Sequence, residues 1–248
     1  LLLSAFLKRD MGLSDAMKAG AYEGLPYIHK DSEGNYDADI EVPCYEYPLG
    51  QMTDELLQYH YKLLPLQGLA EIVGEENIYY FGYDSFGDVI GETEKLNHYI
   101  HDVVLPQTGA EQVRLCNISL GGTIGVNYLE MYPEDYELIK RMLFVIPAID
   151  GSDIIGDILT NNLSIIHDDE MLYEKFLPSL LGETPLSYFL NMVLRILPSD
   201  VLKSALGGLA EGVVEAGVRS TTIIWALCPT DYYEEAREKW LSDDEYAL

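Results

Sequence analysis

The run LCNISLGGTIG, Leu115 to Gly125, sets a serine between an apolar stretch and a pair of glycines. A serine hydroxyl is a weak nucleophile until a base takes its proton and hydrogen-bond donors receive the charge developing on the attacked carbonyl oxygen. A sharp strand–serine–helix turn meets part of that need. It lifts the side chain out of the sheet, aims the next backbone N–H at the developing oxyanion and adds the positive end of the helix. In this chain Arg114 to Asn117 supply the strand, Ser119 the nucleophile and Leu120 the N–H, while Gly121 and Gly122 are the small residues where the chain turns into the helix. The pattern G-x-S-x-G is met only in part, because Asn117 holds the place of its first glycine. Asparagine tolerates unusual backbone conformations better than most residues. The same stretch also suits an ordinary strand-to-helix turn in which Ser119 caps the helix, and on these residues alone both readings stand.

The flanking elements have the order such a turn needs. NIYYFGYD (77–84) is a β-prone run. GETEKLNHYIHDVVLPQTG repeats Leu96, Ile100, Val103 and Val104 at helical spacing and is expected to end at Pro106 and Gly109. QVRLCNI is the next strand, GGTIGVNYLEMYP a helix closing at Pro133, and RMLFVIP a third strand. Strand, helix, strand, helix, strand predicts a parallel sheet with helical crossovers, an α/β fold. Upstream, SDAMKAGAYEGL and MTDELLQYHYKLLPLQGLAEIV read as helices with Ser14 and Thr53 as N-caps, separated by the turn-rich KDSEGNYDAD. From 151 to 218 the strand rhythm stops, and GSDIIGDILTNNL, MLYEKFLPSLLG, LSYFLNMVLRILP and SDVLKSALGGLAEGVVEAGV all read as helical.

Composition narrows the function classes. The 248 residues are 48% hydrophobic, enough for a sizeable core. The 42 acidic and 15 basic residues leave a net charge of -27, which repels phosphate backbones and excludes nucleic acid as the expected partner. No apolar run is long enough to span a bilayer. Cys44, Cys116 and Cys228 lack metal-ligand spacing; their odd number argues against a fully paired disulfide framework, and Cys116 reads as a small buried hydrophobe in its strand. The acidic pairs and triplets at 75–76, 168–170 and 243–245 read as solvated faces, so no metal is expected. No glycine run continues as G-K-[ST], and no cofactor is expected. The chain opens LLLSAFLKRD without an initiator Met or a cleavage pattern, which suggests that the true N-terminus and any signal peptide lie upstream; the compartment stays open.

Further residues carry a resemblance. Tyr83-Asp84 follows a β-prone run, with Ser85 and Phe86 after it. Thr108, Gly109, Ala110, Val113 and Leu115 lead to the elbow of Ser119, Gly121 and Gly122, with Ile118 before the serine. Pro147, Gly151 and Ser152 follow on the next strand, and IIWALCPTDYY comes later. Over about residues 77–160 this resembles the lipase-like α/β hydrolases, and within them the lecithin:cholesterol acyltransferase-like group. Ser85 and Phe86 stand where that group has tryptophan and arginine, and Ile118 where it commonly has histidine. The resemblance implies an α/β-hydrolase fold, incomplete at both ends, with a core over 1–154, a helical lid over 155–218 and a return to the core over 219–248. It implies an acyl-serine on Ser119, with a lipid or other hydrophobic ester as substrate and transient contact of the lid with lipid. A triad acid and histidine would follow in chain order, beyond the lid and outside this chain.

Internal partners for Ser119 are weaker expectations. His29 and His60 precede the elbow, His98 and His101 read as solvated or packed, and His167 as a helix-start residue. Asp150 stands where some lipases carry the triad acid, but it and Ser152 read more simply as a turn capping the next helix. The alternative function is a non-catalytic binding protein that keeps the fold and has lost the chemistry. Asn117, Ile118 and the absent partners favour that alternative.

Overall fold

The computed structural model describes residues 4, 7–31, 35–163, 169–178 and 194–241. Along these run α1 (Leu13–Gly24), α2 (Asp54–Leu63), α3 (Gln67–Val73), α4 (Val89–His98), β1 (Val113–Ile118), α5 (Gly121–Met131), β2 (Ile139–Val145), α6 (Asp153–Thr160), α7 (Ser199–Ala216), α8 (Thr222–Trp225) and α9 (Thr230–Trp240). α4 widens into a π-helical turn over Tyr99–Val104 and resumes over Leu105–Thr108. A second π-helical turn spans Met171–Phe176. The chain divides into two compact units: Glu41–Ile149, and Leu1–Ile40 together with Asp150–Leu248. The segments expected as lid and return, 155–218 and 219–248, therefore share a unit with residues 1–40.

In the unit 41–149 the helix ends follow local chemistry. Thr53 Oγ1 accepts the Leu56 N–H at 3.4 Å and opens α2, with Asp54 and Glu55 in the first turn where the helix dipole favours anions. The helix read through 52–73 breaks in two because Pro65 holds Leu64 extended (ψ 141). Asp88 Oδ2 caps α4 by accepting the Gly91 N–H at 2.7 Å. Pro106 does not end that helix. It falls in the first turn of the resumed segment, where its missing N–H costs little, and Gly109 at φ 65 makes the stop. Leu49, Met52, Ala70 and Ile78 form one core, ringed by tyrosines. His60 belongs to this core: its Nδ1–H donates to the Leu56 carbonyl at 2.8 Å, and its ring meets Tyr80 edge-on at 4.6 Å. α4 packs on α5, burying Leu96 and Ile100 on one and Ile124 and Tyr128 on the other.

The sheet is shorter than expected. Among the described residues it has two strands, β1 and β2, paired in parallel from Val113↔Ile139 to Ile118↔Val145. The α/β character and the parallel helical crossover are present. The strand expected over 77–84 does not form. Those residues run extended, but their polar groups are taken by non-strand partners: the Ile78 carbonyl accepts the Leu49 N–H at 2.8 Å, and the Tyr80 carbonyl accepts the Tyr99 hydroxyl at 3.3 Å. β-propensity describes fit to a pleated surface, and without a ladder partner it makes no strand. Cys116 is exposed rather than buried, on the same face of β1 as exposed Arg114.

The other unit is mainly helical among its described residues, with one antiparallel bridge between Lys30 and Tyr36. Ser14 is not the cap of α1. Asp10 takes that role, its carboxylate accepting Leu13 N–H at 2.6 Å and Ser14 N–H at 3.2 Å, while Ser14 Oγ donates to the Ser204 carbonyl at 3.0 Å. α1 lies along α7 at close range because Gly208 and Gly212, four apart on one face, carry no Cβ: a methyl there would run into the carbonyls of Ser14 and Lys18. Leu172, Leu177, Leu197, Val201, Leu202 and Leu206 form the adjoining core. α6 meets α9 through Gly156, where a Cβ would lie 2.5 Å from the Tyr232 ring, and Trp240 Nε1 donates to the Leu159 carbonyl at 2.5 Å. Ser152 precedes α6 and caps it through its backbone carbonyl, which accepts Ile155 and Gly156 N–H; its side chain makes no cap bond. Asp150 is exposed. His167 and most of LSYFLNMVLRILP lie outside the described residues. Among the described residues no helix is long and apolar enough to cross a membrane.

The glycine contacts give a paired prediction. Gly212→Val overfills the α1–α7 contact and is expected to lower stability by about 1–3 kcal/mol. Gly20 in α1 has open space around its Cβ position, so Gly20→Ala is expected to raise stability by roughly 0.5–1 kcal/mol. Urea unfolding of the two variants checks both signs.

Candidate active site

β1 ends at Ile118 and α5 begins at Gly121, leaving Ser119 and Leu120 to make the turn. Ser119 has φ 51, a left-handed conformation that residues with a Cβ rarely adopt. It is held there by three backbone hydrogen bonds. Its N–H donates to the Val145 carbonyl at 3.0 Å, continuing the parallel ladder past the end of the strand. Its carbonyl accepts the Gly122 N–H at 2.9 Å and the Ala148 N–H at 3.2 Å. Such strain persists only where the surroundings over-determine it. The side chain is exposed. Ile146, just past the end of β2, is also at positive φ (43). Both strand exits are thus strained side by side, at the carboxyl ends of parallel strands where α/β sheets bind ligands.

Leu120 takes helical angles as the residue before α5. The Gly122 and Thr123 N–H groups are satisfied by the Ser119 and Leu120 carbonyls. The Leu120 and Gly121 N–H groups remain as the orphan donors of the helix end among the described residues. Gly122 and Gly125, three apart on one face of α5, then explain the departure at Asn117. A Cβ on Gly122 would stand 2.8 Å from Pro147 Cβ, so the chain leaving β2 passes directly under the elbow. A Cβ on Gly125 would stand 2.6 Å from Asn117 Oδ1. Asn117 is buried, with Nδ2 3.5 Å from the Leu143 carbonyl. Its side chain occupies the space that the absent Gly125 side chain vacates. The small residue that a close strand–helix contact requires stands on the helix here, not on the strand.

Tyr83 reaches the same corner. A Cβ on Gly121 would lie 3.7 Å from the Tyr83 hydroxyl and 4.0 Å from its Cε1, so the tyrosine edge covers the first residue of α5. Burial pushes this hydroxyl up to about 12, so it is a protonated donor at neutral pH. The sequence alone gives Tyr83 no role here, because the contact depends on a non-local fold. Gly125 does carry a local signal, the G-G-x-x-G spacing of residues 121–125.

No histidine among the described residues bonds to Ser119. His101 is committed elsewhere: its Nε2 lies 2.8 Å from Asp135 Oδ2, an oxygen that also accepts the Tyr128 hydroxyl at 2.5 Å and Asn97 Nδ2 at 3.2 Å. This knot ties α4 to the far end of α5, about 16 Å from the elbow at 1.5 Å rise per residue. His98 pairs with Asp102 on the exposed face of its own helix, and His29 stacks on Tyr22 with Nε2 2.8 Å from the Tyr22 carbonyl. Among the described residues no group of three or more His, Cys, Asp or Glu side chains is placed to hold a metal ion. Comparison with family models, curated proteins and solved structures found no match.

Two expectations follow. Gly125→Ala should lower stability by about 1–3 kcal/mol, and Asn117→Gly in the same chain should recover much of that loss; additive effects in a double-mutant cycle would disprove the volume exchange. Asp135 is buried, which by itself raises its carboxyl, but the His101 and Tyr128 hydrogen bonds outweigh burial and hold it below the ordinary 3.8. A depressed carboxyl stabilises the fold fully above 3.8 and loses that contribution as pH falls through the lower folded value. Asp135→Asn should therefore destabilise the protein at pH 7 and flatten the acid limb of its stability profile, read by urea titration between pH 7 and 2.5.

Proposed function

We propose that this chain is a serine-dependent acyl hydrolase or acyltransferase of the α/β-hydrolase fold, with Ser119 as nucleophile and residues 155–218 as a helical lid. The carrying observation is the pairing of residue and backbone at position 119. At φ 51 glycine is the least costly residue, and a serine there is strained. Its side chain is exposed, beside orphan N–H donors. That combination suits a nucleophile, and a structural turn gains nothing from it.

In the proposed step, the Ser119 Oγ–C bond forms as the carbonyl π pair moves onto oxygen. That pair then returns as the bond to the alkoxide breaks, and the serine proton leaves on the alcohol by way of a general base. The acyl-serine then passes its acyl group to water or to a lipid alcohol. Leu120 N–H donates to the oxyanion. The resemblance of residues 77–160 supports a lipid or other hydrophobic ester and places a histidine base and its acid after the lid in chain order.

A second reading is a non-catalytic binder on the same fold. It is favoured by the absence, among the described residues, of any histidine bonded to Ser119. The readings separate with a fluorophosphonate probe on the intact protein. The catalytic reading expects labelling that Ser119→Ala abolishes; labelling that survives the substitution would sink it, and an unlabelled wild type supports the binder. Ser119→Gly should also abolish labelling while raising stability by about 1 kcal/mol, because it releases the backbone strain.

A further inference from the structure

Among the described residues, the Tyr83 hydroxyl is the side-chain polar group within 4 Å of the Cβ position of Gly121, at 3.7 Å. Among the described residues it makes no hydrogen bond, whereas Tyr61, Tyr99 and Tyr128 of the same unit each spend theirs on a carboxylate or a carbonyl. The ring is held by Phe81, stacked at 6.3 Å and 26°, and by the half-buried packing around it. The hydroxyl is thus positioned by its ring and left without an internal acceptor. It lies beside Gly121, the first helical residue after the serine turn, whose N–H and that of Leu120 are the orphan donors of this helix end among the described residues.

We propose that Tyr83 is a catalytic residue of the Ser119 site, its hydroxyl serving as the second donor to the ester oxyanion. The inference rests on the reading of Ser119 as nucleophile and adds a side-chain donor to it. As the Oγ–C bond forms, the carbonyl oxygen gains the π pair and accepts two hydrogen bonds, from Leu120 N–H and Tyr83 O–H; neither proton is transferred. A phenol kept protonated by burial suits that role, because it donates at neutral pH and brings no competing negative charge.

The test uses the intact protein and the fluorophosphonate probe, in which the Oγ–P bond forms, P–F breaks, and the serine proton passes to the buffer as fluoride leaves. Loss of one oxyanion donor lowers the rate of the chemical step by about 10²–10³-fold in the best-studied cases. Tyr83→Phe is therefore expected to slow labelling at Ser119, and ester turnover, by at least roughly 10-fold. KM should stay near wild type and the melting temperature unchanged, since no internal hydrogen bond is lost. Gly121→Val, which places a methyl between the helix end and the hydroxyl, should slow labelling similarly without removing the phenol. Wild-type labelling at Ser119 with an unaltered rate in Tyr83→Phe overturns the role of Tyr83 and leaves Ser119 standing. An unlabelled wild type, or labelling that persists in Ser119→Ala, overturns both.

Discussion

The Ser119 carbonyl accepts two hydrogen bonds, from Gly122 and from Ala148, while the Ser119 N–H reaches back to Val145. These three bonds join the exits of both strands to the start of α5 at a single residue. They hold the left-handed φ against its intrinsic cost, of order 1–3 kcal/mol. With the turn fixed, Gly122 presses on Pro147, and the orphan N–H groups of the helix end sit directly after the serine. Without any one of them the strand could relax into an ordinary turn and the geometry of the corner would be lost.

A tightly packed elbow constrains a pair of facing positions more than any single residue. The strand and helix approach so closely that only one of Asn117 and residue 125 has room for a side chain, and here the asparagine has it while Gly125 has none. The exchange also answers a polar requirement. Asn117 is buried, and its amide reaches the Leu143 carbonyl across the strand pair, so the larger residue brings a partner for its own polar group. A motif written on the strand alone counts this as a defect, whereas the packed pair is complete.

The far end of α5 is secured by different means. Asp135 gathers Asn97, His101 and Tyr128 on one oxygen, fixing the loop after α5 to α4. This arrangement uses the histidine and carboxylate that a search for catalytic partners would notice first. It lies a helix length from Ser119, and its role is to hold the crossover helix at the end away from the site. In the other unit the equivalent closeness comes from Gly208 and Gly212, which let α7 meet the backbone carbonyls of α1.

What the sequence determined by itself was the set of features settled within a few residues. The Thr53 cap, the stop at Gly109, the β1–turn–α5 order and the helical run over 199–216 follow from side chain–backbone bonds, φ preferences and periodicity, all of which act locally. Ser119 as the residue of the turn was legible for the same reason. What tertiary structure decided were the contacts between segments distant in sequence. NIYYFGYD has strand propensity but no ladder partner among the described residues, so it stays extended without becoming a strand. Cys116 falls on the face of β1 that stays open. Asp10, not Ser14, caps α1, because Ser14 Oγ is drawn to the Ser204 carbonyl 190 residues away. Asn117 fits only because of Gly125, and Tyr83 stands over Gly121 only because the chain from 78 to 84 is held in place by Leu49 and Tyr99. Local free energies are set by neighbours in the chain. Space, burial and unpartnered polar groups are set by whichever distant residues arrive beside them.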